Sequence, residues 1–197
     1  FQPGEAVTSR QFAELLDPYV DGLITVDPHL HRYGSLEELY DGYTEVLHAA
    51  PALAKWVRNN VDNPYLIGPD EESEQWVSKV AERIGAPFNV LTKVRHGDRD
   101  VEIQFNDPAD RRDRNPVLVD DIISTAGTMV KATHTLRSNG YPDPVCVGVH
   151  GIFAEGAESE LREAGARKIV TANSVEHSTN TIDLSGVIAD SFRTQDR

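Results

Sequence analysis

The chain has 197 residues, a hydrophobic fraction of 39%, two Trp and a formal net charge of −13, enough for a real core, as one large domain or one and a half smaller ones. The acidity argues against nucleic-acid binding. No apolar run approaches the ~20 residues that span a bilayer and no basic-then-apolar leader is read, so no membrane partner is expected; the single cysteine allows no disulfide within the chain, so a reducing cytoplasm is the expected setting.

The elements follow in chain order. Thr8 or Ser9 can cap a helix through Tyr19, with Phe12, Leu15 and Leu16 on one face. Gly22 precedes a strand at Leu23 to Val26, and a loop with His29 and His31 follows Pro28. The spacing of Val46, Leu47, Ala50, Leu53, Ala54 and Val57 predicts a helix from Thr44 to Asn60, starting late or kinking at Pro51. After Asn63-Pro64 come a strand at Tyr65 to Ile67, a helix from Glu71 to Ile84 and a strand from Phe88 to Leu91. The segment 93–115 is loop-rich, with a short strand near Val101 to Gln104, and Arg111-Arg112-Asp113-Arg114 reads as a solvated turn. A strand at 117–119, a helix through Leu136, a strand at 145–149, a helix near 156–164, a strand at Lys168 to Thr171 and a helix at 186–193 complete the chain. Cys146, the only cysteine, lies in one of these apolar runs and reads as a buried small hydrophobe. Strands alternating with helices imply an α/β fold with a parallel, doubly wound sheet.

The most informative stretch is Val117 to Thr128. A doubly covered strand is followed by Asp120 and Asp121, expected to mark its carboxyl end, where open α/β sheets bind ligands. Ser124, Thr125, Ala126, Gly127 and Thr128 then offer hydroxyls and backbone N–H groups at a helix start, which suits a phosphate. One element could thus hold a phosphate in its loop and sugar hydroxyls, or a metal, on its carboxylates.

This stretch, VDDIISTAGT, resembles the phosphoribosyl-diphosphate (PRPP) loop of the type I phosphoribosyltransferase fold, and its spelling is most similar to that of the ribose-phosphate diphosphokinases. Further segments resemble that family in order: Phe1 to Glu5, Ile24 to His29, Leu66 to Asp70, Lys93-Val94-Arg95 and Thr171 to Ser174. The resemblance implies transfer of the β,γ-diphosphoryl group of ATP to the C1 hydroxyl of ribose 5-phosphate. It also implies a homo-oligomer, with ATP and ribose 5-phosphate as partners and Mg²⁺ as cofactor. Ser124 to Thr128 would hold the 5-phosphate, with Asp120 and Asp121 on the ribose hydroxyls. Lys93 and Arg95 would be catalytic and bind ATP, His29 would contact ATP phosphates or the metal, and Asp70 would hold the metal. The domains implied are 1–62, part of a first phosphoribosyltransferase-like domain, 63–185, a second carrying the loop, and 186–197, a tail packing back.

There are two departures. Glu71-Glu72-Ser73-Glu74 stands where the family has a small Gly-containing loop; acids there suit a first helical turn. Family members also carry roughly ninety to a hundred more N-terminal residues, so the chain is expected to be part of a longer protein, with an open sheet edge that argues for oligomerisation or further chain. A PRPP-consuming phosphoribosyltransferase and a silent regulatory homologue remain open. His29-x-His31 also invites zinc, but no third ligand stands at a recognisable spacing.

Overall fold

The computed structural model describes residues 7–30, 33–95 and 101–195, with 93–95, 101–104 and 194–195 as backbone only. Phe1 to Glu5, His31, His96 and Arg99 lie outside the described residues.

The centre is a six-stranded parallel sheet. Its strands are β3 (Pro64–Gly68), β4 (Phe88–Val90), β7 (Asn115–Ile123), β8 (Val145–Gly151), β9 (Lys168–Ala172) and β10 (Asn180–Ile182), in the spatial order β4-β3-β7-β8-β9-β10. A smaller sheet pairs β1 (Gly22–Val26) in parallel with β2 (Tyr43–Leu47), and β5 (Thr92–Arg95) with β6 (Val101–Gln104) forms an antiparallel hairpin. The helices are α1 (Thr8–Leu16), α2 (Ala50–Asn60), α3 (Glu74–Ile84), α4 (Gly127–Ser138), α5 (Ala157–Glu163) and α6 (Ser185–Gln195).

Alternation along the strands explains the layers. Leu66, Val117, Val119, Val145 and Val147 face one way, onto Leu53, Ala54 and Val57 of α2 and Val77, Val80 and Ala81 of α3. Tyr65, Ile67, Leu118 and Cys146 face the other way, onto Met129, Ala132 and Leu136 of α4 and Leu161 of α5. From β3 the chain steps outward to β4, then returns to the other side of β3 and continues through β7, β8 and β9. With right-handed crossovers, that reversal puts α3 and α4 on opposite faces. The strand order therefore reverses between β3 and β7. Burial pushes the Cys146 thiol up to about 12, so it is the inert core residue expected.

Several elements differ from expectation. Residues 44–47 form strand β2, not helix, and α2 starts at Ala50 with Pro51 in its first turn, where the missing N–H costs nothing. The first helix ends at Leu16 in a 3₁₀ turn through Tyr19 and has no side-chain cap; only Ala13 is buried, while Phe12 and Leu15 are exposed. β7 runs through both aspartates to Ile123. The Arg111 turn is a packed corner: Arg111 lies over the Tyr65 ring and pairs with Asp107 at 2.5 Å. Among the described residues no helix is long and apolar enough to cross a membrane.

Candidate functional site at the switch point

Pairing between β3 and β7 stops at Ile67 with Leu118, whereas pairing between β7 and β8 continues to Ile123 with Gly151. Asp120 therefore emerges where β7 has lost one neighbour, opposite Gly148. Beyond the end of β3, Asp70 caps the next turn. Its Oδ1 accepts from the Ser73 N–H at 3.3 Å while its own N–H donates to Ser73 Oγ at 3.3 Å. Gly68 permits this turn, since a Cβ there would meet Ser73 Oγ at 2.4 Å and Val90 Cγ1 at 2.7 Å. The two carboxylates thus flank the point where strand order reverses, the place where doubly wound sheets bind ligands.

A cleft of about 410 Å³ opens there. Its walls carry Asp70, Glu72, Asp120 and Asp121, the hydroxyls of Ser124 and Thr128, and the side chains of His29, Trp76, Ile122 and Ile152. Among the described lining residues there is no Lys or Arg. Burial, then the charges of Asp121 and Asp70, push the Asp120 carboxyl up to about 8.

The loop after β7 is braced from below. Ile123 O accepts from the Ile152 and Phe153 N–H groups, and Ser124 O from that of Ala154, all at 3.0 Å. Ala126 takes a left-handed conformation (φ 58°) and α4 starts at Gly127 with no side-chain cap, so its leading N–H groups lack intrahelical partners. A Cβ on Gly127 would meet only Thr125 Oγ1, at 3.7 Å, which leaves the space above the loop open. Ser124, Thr125 and Gly127 are exposed, Thr128 is half-buried and Ala126 is buried.

His29 arrives from the small sheet. Asp27, buried and with φ 36°, turns the chain out of β1. Its Oδ2 accepts from the Ala49 N–H at 2.8 Å, its Oδ1 lies 2.8 Å from His48 Nδ1, and its N–H donates to Leu47 O at 2.9 Å. Two residues on, His29 Nδ1 lies 2.5 Å from Asp121 Oδ2. His150 makes a second tie, with Nε2 donating to Val26 O at 3.0 Å and Nδ1 lying 2.8 Å from Ser174 Oγ. His150 thus ties the small sheet to β8, and His48, which directly follows β2, holds Asp27.

The structure brings His29, Asp70, Asp120, Asp121, Ser124 and Thr128 together in the cleft. Asp121 is 3% exposed, and its oxygens serve His29 and the Ile122 N–H. Lys93 and Arg95 stand two apart on β5, and their side chains lie outside the described residues. The hairpin nevertheless leaves the same end of the sheet, because the Leu91 N–H donates to Gly68 O at 2.9 Å. The run 71–74 is helical from its first residue, which agrees with reading its acids as first-turn residues. Glu72 nevertheless lines the cleft, and so does Trp76, which sequence reasoning passed over. Its position six residues beyond Asp70 was the available signal.

Comparison with known proteins bears on the family and the fold. The phosphoribosyl transferase domain matches residues 35–185. The ribose-phosphate pyrophosphokinase of Sulfolobus acidocaldarius is 30% identical over 95% of this chain and 64% of its own length. That of Methanopyrus kandleri is 32% identical, over 96% and 65% respectively. The chain therefore spans slightly less than two thirds of these curated relatives. The crystal structure of phosphoribosylpyrophosphate synthetase from Mycobacterium smegmatis shares the fold, with a TM-score of 0.80 at 22% identity, over 98% of this chain and 65% of that one. The matched range takes in the strand-loop-helix at 115–138 and every lining residue of the cleft except His29, and the chain belongs to the phosphoribosyl transferase domain family.

Proposed function

We propose that this chain carries the acceptor site and part of the donor site of an ATP-dependent ribose-phosphate diphosphokinase. The observation that carries the proposal is the convergence of an uncapped helix start, the Asp120 carboxyl, His29 and Asp70 on one cleft at the switch point. The relatives named ribose-phosphate pyrophosphokinase supply the reaction.

In this reading the N–H groups and hydroxyls of Ser124 to Thr128 hold the 5-phosphate. Asp120 accepts hydrogen bonds from the ribose hydroxyls. Asp121, already committed to His29, orients that ring toward the ATP phosphates. The C1 hydroxyl oxygen of ribose 5-phosphate attacks the β-phosphorus, the bond to the oxygen bridging α- and β-phosphorus breaks, and AMP leaves. Such a transfer needs in-line positioning and charge neutralisation. Lys93 and Arg95 are assigned to the transferring group, since β5 starts beside the end of β3.

Among the described residues no three His, Cys, Asp or Glu side chains are grouped to hold a metal by themselves; Mg²⁺, which prefers oxygen ligands, keeps most of its waters and needs only one or two protein ligands, still fits a cleft lined by Asp70. Asp70, with His29 beside it, would hold the ion. Bound there, it supplies neutralisation of the phosphate charge that the cleft's own acids would repel. The reading includes a cytoplasmic setting and a homo-oligomer, the latter supported by the exposed Phe12, Leu15 and Tyr19 near the start of the chain.

The test uses the longest natural polypeptide carrying this sequence, supplied with Mg-ATP and ribose 5-phosphate. Equimolar AMP and PRPP, abolished by Lys93→Ala, is the expected result. Consumption of PRPP that depends on an added nitrogenous base would replace the reading with a transferase. Binding of ribose 5-phosphate without turnover would replace it with a silent homologue.

A further inference from the structure

The segment that braces the loop after β7 is itself held from the far side of the sheet. It follows β8, which lies between β7 and β9. Residues 152–154 therefore stand between the loop after β7 and the loop after β9. Their N–H groups reach the first of these, at Ile123 O and Ser124 O. Two adjacent side chains of the segment diverge: Ile152 lines the cleft, whereas Phe153 packs against the core under α4 and α5.

The Phe153 ring meets the second loop at His177. The two rings stack with centroids 4.3 Å apart and planes 30° from parallel. Gly151 lets the Phe153 ring lie this close to the strand, since a Cβ there would meet Phe153 Cε2 at 2.9 Å. His177 is fixed in turn. Its Nδ1 accepts from the Thr179 N–H at 3.3 Å, its own N–H donates to Asn180 Oδ1 at 2.8 Å, and its Nε2 lies 3.8 Å from Glu158 Oε2. Thr179 is buried, with its hydroxyl 2.7 Å from that of the fully buried Thr171 on β9. Asn180 Nδ2 donates to Thr171 Oγ1 at 2.9 Å and to Ala172 O at 2.8 Å. An imidazole pinned in this way hands the rigidity of the sheet's edge to Phe153.

We propose that His177 is a positioning residue for the 5-phosphate loop: its stack on Phe153 fixes the 152–154 brace, and the brace fixes the direction of the loop's N–H groups. This rests on the reading of Ser124 to Thr128 as the 5-phosphate site. Such a site needs an outside support, because α4 starts without a side-chain cap. Backbone N–H groups at a helix start bind a phosphate well when they are already oriented, since ordering a loose loop on binding costs affinity.

Calorimetry on the longest natural polypeptide carrying this sequence, with ribose 5-phosphate and Mg-ATP as paired probes, tests this. His177→Ala should weaken ribose 5-phosphate about 3- to 10-fold, the scale of one aromatic pair, and leave Mg-ATP within about twofold. His177→Phe, which keeps a ring for the stack, should recover most of the loss. Phe153→Leu keeps the backbone bonds of the brace and should match His177→Ala. The double variant should lose no more than either single one, because both remove the same contact. Unchanged ribose 5-phosphate affinity in His177→Ala, equal weakening of both probes, or single losses that add in the double variant would overturn the proposal. A lowered urea midpoint without the selective loss would make His177 a packing residue only. PRPP formation followed in parallel separates this claim from the diphosphokinase reading. PRPP formed with ribose 5-phosphate affinity indifferent to position 177 sinks the positioning role alone. Selective weakening of ribose 5-phosphate in His177→Ala, with no PRPP formed by the unmodified protein, sinks the diphosphokinase reading alone.

Discussion

His29 Nδ1 lies 2.5 Å from Asp121 Oδ2, although 92 residues separate them. The contact fastens the exit of the small sheet to the central strand of the large one, at the mouth of the cleft. Asp121 is nearly fully buried and also accepts from the Ile122 N–H, so its carboxylate is held independently of His29.

Asp121→Asn keeps an acceptor for the Ile122 N–H and removes the charge that holds His29. Turnover should fall about 10- to 100-fold, the scale seen when a group that orients a functional histidine is lost. The Asp120 carboxyl should titrate at lower pH, because one of the charges raising it is gone. Carboxyl carbon NMR across a pH series reads that shift, and an unmoved Asp120 titration would refute the coupling.

The raised Asp120 carboxyl also sets a pH dependence of stability. Its unfolded value is about 3.9, and its folded value is about 8. Between these the native state holds the proton more tightly. The stabilisation is complete below about pH 4 and is lost as pH rises toward 8. At pH 8 Asp120→Asn should be more stable than the unmodified protein by ~1–3 kcal/mol, while ribose 5-phosphate binding collapses. Urea midpoints at pH 5 and pH 8, with unchanged slope, measure this. Equal stability differences at the two pH values would contradict it.

Much of this fold was legible in the sequence because the apolar runs at 65–67, 117–119 and 145–149 are local and covered on both faces. Residues 44–47 misled because Val46 and Leu47 fit a helical and a strand period equally in so short a window. What decided the matter was pairing with β1, which local pattern does not show. β5 is polar and β10 is a three-residue edge strand with an irregular register, so neither carries a strong period. Asp120 and Asp121 read as the strand's end; the strand runs on because β8 still pairs with it after β3 has stopped. The loop residues of the site were visible as a contiguous motif. Trp76 and the His29–Asp121 pair were not, since the cleft that unites them depends on strand order.

Gly68 is where the end of β3 and the Asp70 turn meet. Gly68→Ala drives a methyl against Ser73 Oγ and Val90, and overpacking of that kind costs about 1–3 kcal/mol. The displacement reaches Asp70 through the Ser73 capping bonds, so Mg²⁺ dependence should shift along with the denaturation midpoint. A variant of ordinary stability and ordinary Mg²⁺ response would show that the turn is not held as described.

His150 holds the small sheet to β8 through Val26 O and Asp27 O. His150→Leu fills similar space and leaves the carbonyls of the buried residues Val26 and Asp27 without that donor, a loss of about 1–2 kcal/mol. Hydrogen exchange should accelerate in β1 and β2 and remain slow in β7. Uniform acceleration across both sheets would contradict a local tie.

The most direct test of the account follows phosphorus. With Mg-ATP and ribose 5-phosphate, ³¹P NMR should show the β- and γ-phosphorus of ATP arriving together as the diphosphate on C1, with AMP rising in step. The loss of that transfer in Asp120→Ala and Lys93→Ala is the predicted result. Formation of ADP with a single phosphoryl group on the sugar, or AMP and PRPP production indifferent to Asp120, would contradict the assignment of the switch-point cleft.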